Sequence, residues 1–559
     1  MNDFLAAPDE RNRQGANDAK ETRGSDLGDL GVVAVAHGRL ARNAVWNWAG
    51  MATHLLTGFV VAPFLVHHLG QTGYGLWILI ASLTGYFAVL DLGVSGSVGR
   101  NVAFLRAKND RDGVNRLVST AFAILSGVAG LVLVATAGVL ALFFVLFDVA
   151  PEQADAARLA LLLVGCNLAV SFLLGIFDGL LWAMQRFDLQ NLIDIPAVLL
   201  RAGLTFLLIG QGHGLVALAL ITLLTTVAAG LAKLVICFVL DRGLRFRMSL
   251  IGTESARGLY GYGIWFFLLS LARTITPQIS PQVIGARLAV ALVTPFSVAA
   301  RLVAYANAFL IAGTQVLTPV ATGLHATGQH DDQRRLFLEG GKYCLALALG
   351  FITLFAVLGS TLLVLWMGPE LQDAWTLLLL LSLGELLPMS QWITYSMILG
   401  MGRHKLTACL NLAEGILVLG LSLLLVSPCG VLGVALAVAV PGAVCRGLGP
   451  MLYGCRLLHV PIFTYVRRAI MPPVLCAAGP GLVLAAVVAW QAPENWLEFV
   501  LYAAAYGLVY LLSVGLGLLG RGRLRSLLPV RRRAADGDAP AVAGNVPVGM
   551  RTGSEEVFA

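Results

Sequence analysis

Long apolar runs, separated by short charged clusters, recur along almost the whole of this 559-residue chain. Hydrophobic residues make up 58% of it and charged residues only 12%, whereas soluble domains hold roughly 45–50% apolar and about 25% charged residues. A water-soluble fold is therefore excluded. Since about 20 apolar residues cross a bilayer, the runs between residues 44 and 519 predict an all-α polytopic membrane protein with about fourteen transmembrane helices.

Basic residues are concentrated on one set of alternate connections between the apolar runs. That set is rich in Arg and Lys, for example between residues 100 and 116 and between residues 242 and 257, whereas the opposite set holds only Arg158 and Arg287. Cytoplasmic loops of membrane proteins carry an excess of Lys and Arg. The number of crossings is therefore predicted to be even, with both termini in the cytoplasm.

A weak internal repeat divides the crossings into two sets. A shift of 219 positions aligns Trp46 with Trp265 and Tyr86 with Tyr305, and it holds through the loop after the second run. Six crossings separate the copies, so the repeats are predicted to be parallel. The sequence thus predicts two pseudo-symmetric six-helix lobes plus two C-terminal helices. The predicted domains are a disordered cytoplasmic tail 1–42, a first lobe 43–241, a second lobe 258–455, the last two helices 468–520 and a basic disordered cytoplasmic tail 521–559.

Two consecutive segments resemble a known family. Residues 73–121 read GYGLWILIASLTGYFAVLDLGVSGSVGRNVAFLRAKNDRDGVNRLVSTA, and they resemble the second span and following loop of bacterial polysaccharide-biosynthesis flippases. Residues 43–70 fit the first span of the same family, which belongs to the multidrug/oligosaccharidyl-lipid/polysaccharide (MOP) exporter superfamily.

The resemblance implies a bacterial inner-membrane transporter without enzymatic activity. Its substrate would be a polyprenyl-diphosphate-linked oligosaccharide, such as an O-antigen, exopolysaccharide or capsule repeat unit. It would flip this lipid-linked sugar from the cytoplasmic to the periplasmic leaflet by alternating access. Membrane lipid, a polysaccharide polymerase and glycosyltransferases are the partners implied, and nucleic acid is not expected.

Three arginines near the middle of apolar runs are candidate substrate-binding residues: Arg201 in the fifth run, Arg273 in the seventh and Arg301 in the eighth. A charge at the bilayer centre costs roughly 2.5–3.5 kcal/mol on insertion scales, so it seldom faces lipid. Guanidinium groups that converge on the cleft between the lobes would bind a pyrophosphate through its oxygens. The alternative is that each arginine pairs with a buried carboxylate. Lys233 and Arg446, nearer the cytoplasmic ends of their runs, are interpreted as snorkelling side chains.

Acidic and proline residues inside the runs complete the candidate site. Asp91, Glu385 and Glu414 are interpreted either as ion-coupling residues or as charge partners of the arginines. Pro277 and Pro281 follow Arg273 in the seventh run, and because proline removes a helical hydrogen bond they predict a gating kink there. The cysteines and histidines lack metal-ligand spacing, so neither a metal nor a cofactor is expected.

Two other classes of membrane protein remain as alternatives. A transferase or polymerase that acts on lipid-linked sugars would need a catalytic cluster in a sizeable loop, and the internal loops here are short and mostly basic. A multidrug or small-molecule cation-coupled antiporter of the same superfamily is the closer alternative. Twelve spans would favour the antiporter, whereas the added last two helices and the LDLG stretch at Asp91 favour the lipid-sugar transporters.

Overall fold

The computed structural model describes residues 9–91, 93–253, 255–256, 264–314, 318–401, 403 and 405–519. Throughout these ranges the regular structure is helical. The helices up to residue 253 are α1 (Asp9–Gly85), α2 (Val94–Ala107), α3 (Arg111–Leu146), α4 (Pro151–Ala183), α5 (Phe187–Gly210) and α6 (Leu215–Leu240). Those that follow are α7 (Ile264–Arg287), α8 (Val293–Thr314), α9 (Thr318–Ala326), α10 (His330–Met367), α11 (Ala374–Ser390), α12 (Trp392–Gly400), α13 (Lys405–Pro441), α14 (Gly449–Leu457), α15 (Ile462–Tyr465), α16 (Met471–Trp490) and α17 (Trp496–Val514).

Among the described residues, eleven helical segments are long and apolar enough to cross a membrane, and the predicted all-α polytopic class is confirmed. Two of them are long enough for two crossings, Trp48–Ala107 and Lys405–Leu457. The first contains two glycines with non-helical torsion angles, Gly70 (φ 71°, ψ 172°) and Gly93 (φ 80°, ψ 9°), and the second contains one, Gly430 (φ 59°, ψ −140°). Fourteen crossings remain a prediction. The eleven segments accommodate that number if each of the two broken helices crosses twice and α7 adds one crossing.

The two predicted tails are only partly covered by the described residues. Helix α1 begins at Asp9, so the described part of the N-terminal tail has helical backbone. The C-terminal tail, residues 521–559, lies outside the described residues.

Two helices begin at a polar side chain that accepts a free backbone N–H of the first turn, one of the groups that a lipid-embedded backbone must satisfy. Helix α3 begins after Asp110, whose carboxylate accepts the Gly113 N–H at 2.8 Å. Helix α17 begins after Asn495, whose side-chain oxygen accepts the Glu498 N–H at 3.0 Å, while the Glu498 carboxylate accepts the Glu494 N–H at 2.9 Å. These caps place the connections outside the apolar runs.

The same packing order occurs twice along the chain. In the first half, residues 46–253, α4 packs on α2, α3 and α6, and α5 packs on α1 and α6. In the second half, residues 264–457, α11 packs on α8, α10 and the π-helical turn Gly442–Leu448, and α13 packs on α7 and that same turn. Each of these five helix pairs in the first half therefore has a counterpart in the second.

The last two helices pack against α10. Tyr506 and Tyr510 of α17 donate hydrogen bonds to the carbonyls of Gly350 (3.3 Å) and Ala346 (2.5 Å), both on α10. Ser513 donates to the carbonyl of Cys476 on α16 at 2.8 Å. Helices α16 and α17 thus attach to the outside of the second half.

The two halves meet at the end of the bundle where the chain turns at Gly70 and after α7. Gln282 of α7 donates from Nε2 to Ser82 Oγ at 2.5 Å and to the Leu79 carbonyl at 3.3 Å. Close backbone packing accompanies these bonds, since a Cβ built on Gly75 would lie 2.3 Å from the Val290 carbonyl oxygen. Only glycine at position 75 permits this approach.

Two further hydrogen bonds tie the halves at the same end. Thr294 of α8 donates to the Gln71 carbonyl at 2.6 Å, and the Trp366 indole N–H donates to the Phe59 carbonyl at 2.8 Å. We call the four hydrogen bonds made by Gln282, Thr294 and Trp366 the outer interface, because the orientation predicted from the basic loops places this end at the periplasm.

Candidate functional site

Arg273 lies on the exposed side of α7, beside an aromatic residue of α12. Its guanidinium carbon is 5.5 Å from the centroid of the Trp392 ring, a cation–π geometry. The Trp392 indole N–H in turn donates to Asn307 Oδ1 on α8 at 2.8 Å. Helices α7, α8 and α12 therefore hold the Arg273 guanidinium in place through an aromatic ring and an amide.

Arg301 lies on α8, in the part of the second half that faces α1. It is half-buried and sits beside the hydroxyl of Tyr305, one turn further along α8. Its charge also acts on the buried Tyr74 hydroxyl of α1. The Tyr305 hydroxyl packs on Gly58 of α1, where an added Cβ would lie 2.8 Å from it. Arg301 is thus at the boundary between the halves.

Neither arginine has an acidic partner in the described part of the chain, where the ion pairs involve other cations. Arg273 with Trp392 and Asn307, and Arg301 with Tyr305, are two groups that share helix α8, and we call their five residues together the cationic wall. Its two charged groups are both positive, and its other polar groups are an amide, a phenol and an indole. Such a set can donate hydrogen bonds to an anion from several directions.

Arg201 has different surroundings from the other two arginines. Its Nε donates to Thr225 Oγ1 at 2.9 Å and its Nη2 to Thr226 Oγ1 at 3.2 Å, both on α6. The guanidinium therefore points from α5 into the contact between α5 and α6. The sequence predicted that Arg201, Arg273 and Arg301 converge, and the contacts described here link Arg201 to neither of the others.

Asp91 forms a local cap. Its Oδ1 accepts the backbone N–H of Ser95 at 3.1 Å and the Ser95 hydroxyl at 2.7 Å. These bonds lie at the start of α2, after the 3₁₀ turn Tyr86–Asp91. The carboxylate thus stabilises the N-terminus of a helix, where a negative charge is favourable.

Glu385 and Glu414 are charge partners, and their cation is Arg446. The Arg446 Nη1 and Nη2 groups bind the two carboxylate oxygens of Glu385 at 3.0 and 2.5 Å, and its Nε binds those of Glu414 at 2.8 and 3.0 Å. The interpretation of Arg446 as a snorkelling residue is wrong, because its guanidinium is held by four bonds between α11 and α13.

The local backbone explains why Arg446 reaches both carboxylates. It lies in the π-helical turn Gly442–Leu448, a wider turn that often marks functional positions. Gly442 leaves room for the guanidinium, since a Cβ there would lie 2.8 Å from Arg446 Nη2. The three side chains carry one positive and two negative formal charges, so this second-half cluster has one carboxylate in excess.

A similar cluster in the first half was missed from the sequence. Lys233 Nζ of α6 lies 2.5 Å from Asp178 Oδ1 on α4 and 2.7 Å from Asp194 Oδ1 on α5. Gln190 also donates to Asp178 Oδ1, at 3.2 Å. The Lys233 side chain is only 8% exposed, so the snorkelling interpretation is wrong here as well.

The two clusters lie on equivalent helices. In each half the acids belong to neighbouring helices, α4 and α5 or α11 and α13, and the base belongs to the helix segment that packs on both. A search for charged residues recurring at equivalent runs of the two repeats would have found Asp178 and Asp194. In the described residues, each half thus contains an acid–acid–base cluster that ties three helices together, with Lys233 buried in the first half and Glu414 buried in the second.

Pro277 and Pro281 lie within α7, which runs through both of them. Proline has no backbone N–H, so Pro277 leaves the carbonyl of Arg273 without its usual helical donor. The residues between and after the prolines contact the first half: the Gln278 amide packs on Gly85, and Gln282 belongs to the outer interface. The prolines therefore separate Arg273 from the outer interface along α7, and the gating kink remains a prediction.

The chain matches known proteins over most of its length. The polysaccharide biosynthesis protein family matches residues 40–325. A Shigella flexneri protein provisionally named an O-antigen transporter is 20% identical over 407 residues, which cover 71% of this chain and 94% of that protein.

Two solved structures share the fold. The lipid II flippase MurJ in an inward closed conformation superposes with a TM-score of 0.65 at 13% identity, covering 88% of this chain and 100% of MurJ. A multidrug resistance transporter of the MATE family in an inward-facing conformation gives a TM-score of 0.63 at 16% identity, covering 73% of this chain and 94% of that one. At these identities the likeness shows the fold alone. The family match, which covers just over half of the sequence, establishes that the chain belongs to the polysaccharide biosynthesis protein family.

Proposed function

We propose that this transporter flips a polyprenyl-diphosphate-linked oligosaccharide from the cytoplasmic to the periplasmic leaflet of the inner membrane by alternating access. The observation that carries the proposal is the cationic wall, where Arg273 and Arg301 have no acidic partner among the described residues. An unpaired guanidinium in a membrane protein is costly unless an anion or water meets it. The diphosphate of a lipid-linked sugar supplies that anion and can bind each guanidinium through two oxygens.

The outer interface supports the alternating-access part of the proposal. Its hydrogen bonds close the halves at the predicted periplasmic end, and the basic connections gather at the opposite end. With both termini cytoplasmic, closure at this end corresponds to the inward-facing state of the proposed cycle, in which a substrate enters from the cytoplasmic leaflet. The prolines of α7 lie between the cationic wall and this interface, where a bend would couple the two.

The charge of the wall also separates this proposal from a cation antiporter. A site for cationic drugs needs carboxylates or aromatic faces that are free of competing cations. Here the Trp392 face is already occupied by Arg273, and the buried carboxylates Glu385 and Glu414 are bound to Arg446. An anionic substrate therefore fits the wall better than a cationic one.

Glu385 and Glu414 act first as charge partners in this proposal. Since their cluster has one carboxylate more than Arg446 neutralises, one carboxylate can take up a proton during the transport cycle without leaving a net charge. The first-half cluster of Asp178, Asp194 and Lys233 has the same excess. We propose that any ion coupling uses these clusters rather than Asp91, whose carboxylate caps α2.

Deletion of the gene and complementation with variants tests the proposal. We expect Arg273→Ala to reach the membrane but to leave surface polysaccharide absent, with the lipid-linked repeat unit accumulating on the cytoplasmic leaflet. Arg158→Ala is the matched control, because Arg158 is exposed and its ion pair is with the exposed Asp155, beside a cation–π contact with Phe144. Full complementation by Arg273→Ala would exclude the wall as the substrate site. Normal polysaccharide in the deletion strain, with new sensitivity to cationic dyes, would favour the antiporter.

A further inference from the structure

A separate cavity of about 280 Å³ lies away from the cationic wall, where three connections of the second half meet. Residues from α9 and the start of α10 form one side of it. The turn after α12 and the turn after α14 form the rest. These connections belong to the basic set, so the cavity is at the predicted cytoplasmic end.

Cationic and potentially cationic side chains line the cavity. They are three histidines, His325, His330 and His459, and two arginines, Arg334 and Arg403. In the described part of the chain, no acidic residue is among the lining residues. Asp331 contacts Arg334 Nη1 at 3.3 Å, but its own side chain is 97% exposed, so it lies on the solvent side of the arginine.

Hydrogen bonds hold several of these groups in position. Arg334 Nε donates to the carbonyl of Leu458 at 2.8 Å, which joins α10 to the turn after α14. Gln333 is only 1% exposed, and its Nε2 lies 3.4 Å from His325 Nδ1. His459 has φ +52°, in the left-handed region that residues other than glycine seldom adopt. The lining is therefore arranged before any ligand arrives.

We propose that this cavity binds a small phosphate-bearing anion. Guanidinium groups and protonated imidazoles donate hydrogen bonds to phosphate oxygens. The cavity also opens at the first turn of α10, a 38-residue helix whose N-terminal end carries partial positive charge. The anion is either the headgroup of an acidic phospholipid in the cytoplasmic leaflet or a soluble phosphate compound of the cytosol. Its occupancy would link the three connections and so restrain the cytoplasmic ends of α10, α12 and α14.

Histidine modification in the full-length protein tests the proposal and separates the two sources. The purified protein is placed in nanodiscs of phosphatidylcholine, either with inorganic diphosphate in solution or with phosphatidylglycerol in the bilayer. Reaction of each histidine with diethyl pyrocarbonate is then followed by mass spectrometry. His213, an exposed residue of the turn between α5 and α6, is the internal reference. At saturating ligand we expect His330 and His459 to react roughly tenfold more slowly, with His213 unchanged.

A pair of arginine variants ties the protection to the cavity. Arg403→Gln removes an exposed lining cation, and Arg456→Gln removes an exposed arginine outside the lining. We expect protection to be lost in Arg403→Gln and kept in Arg456→Gln, with the same thermal unfolding temperature for both. Protection by diphosphate identifies a soluble ligand, and protection by phosphatidylglycerol identifies a lipid headgroup. The proposal is overturned if neither protects the wild-type histidines, or if Arg403→Gln is protected as strongly as the wild type.

Discussion

Lys233 and Arg446 lie on equivalent helices of the two halves, and each binds two carboxylates that belong to the two neighbouring helices. The shared geometry makes each cation the centre of a three-helix contact in an apolar setting. The carboxylates around it depend on that single positive charge. The stability of each half should therefore be sensitive to its own cation.

Replacement of Arg446 by methionine tests the second-half cluster. The Arg446→Met variant leaves the carboxylates of Glu385 and Glu414 without a cation, so we expect its free energy of unfolding to fall by about 3–5 kcal/mol. Denaturant or thermal unfolding in detergent measures the change. Arg158→Met is the control and should cost less than about 0.5 kcal/mol. An equal loss in both variants would mean that the cluster does not stabilise the fold.

The first-half cluster allows a test of the excess carboxylate. Lys233→Met should destabilise the protein by about 3–5 kcal/mol, since it leaves Asp178 and Asp194 unpaired. Asp178→Asn should cost less than about 1 kcal/mol, because Lys233 keeps Asp194 and the net charge of the cluster falls to zero. The same unfolding measurement ranks the two. If Asp178→Asn proves the more damaging, both carboxylates are needed as charges.

A larger residue at Gly75 should weaken the outer interface. In Gly75→Val the side chain meets the Val290 carbonyl, so the closed arrangement becomes less favourable and the periplasmic side opens more often. Labelling of a cysteine introduced at the fully buried Val293, by a maleimide that does not cross the membrane, reports this opening in a variant without native cysteines. Gly138→Val is the control, because nothing lies within 4 Å of a Cβ at Gly138. We expect faster labelling and lower transport only in Gly75→Val, and unchanged labelling there would show that the closed end lies elsewhere.

Trp392 should act through Arg273. The cation–π contact is worth about 0.5–2 kcal/mol, so Trp392→Leu should raise the half-saturating substrate concentration in proteoliposomes by roughly 2- to 30-fold. In the background of Arg273→Gln the same change should have little further effect. Additive effects of the two substitutions would show that Trp392 binds the substrate, or supports the fold, independently of Arg273.

The class of the fold could be predicted from the sequence, because the bilayer forces apolar runs of helical length on any such chain. Where a helix faces its neighbours could not be predicted equally well. These helices are apolar on nearly all sides, so their hydrophobic periodicity does not mark a packed face. The convergence of Arg201 with Arg273 and Arg301 stays a prediction for this reason: position along a run gives depth in the membrane but not direction, and the observed bonds of Arg201 are to Thr225 and Thr226.

Lys233 and Arg446 illustrate the same limit for charged residues. Both are near enough to a helix end for the side chain to reach the membrane–water interface, and a long Lys or Arg side chain in that position usually does so. The structure shows carboxylates within hydrogen-bonding distance instead. Those bound to Arg446 belong to Glu414 and Glu385, which lie 32 and 61 positions earlier in the chain. The duplicated pattern of two acids and one base was nevertheless visible in the sequence. Each acid and base lies in the equivalent run of its repeat, although the shift of 219 positions does not align them residue by residue.

The outer interface consists of a few hydrogen bonds and close backbone contacts, and this composition bears on how fast the protein can work. At about 0.5–1.5 kcal/mol each, its four hydrogen bonds contribute about 2–6 kcal/mol to the closed arrangement. A shift of about 5.5 kcal/mol is enough to convert a 99:1 mixture of two states into its reverse. Opening is thus within reach of the binding free energy of one substrate molecule. Variants at this interface should therefore change turnover to the same extent for every repeat unit, whichever sugars it carries.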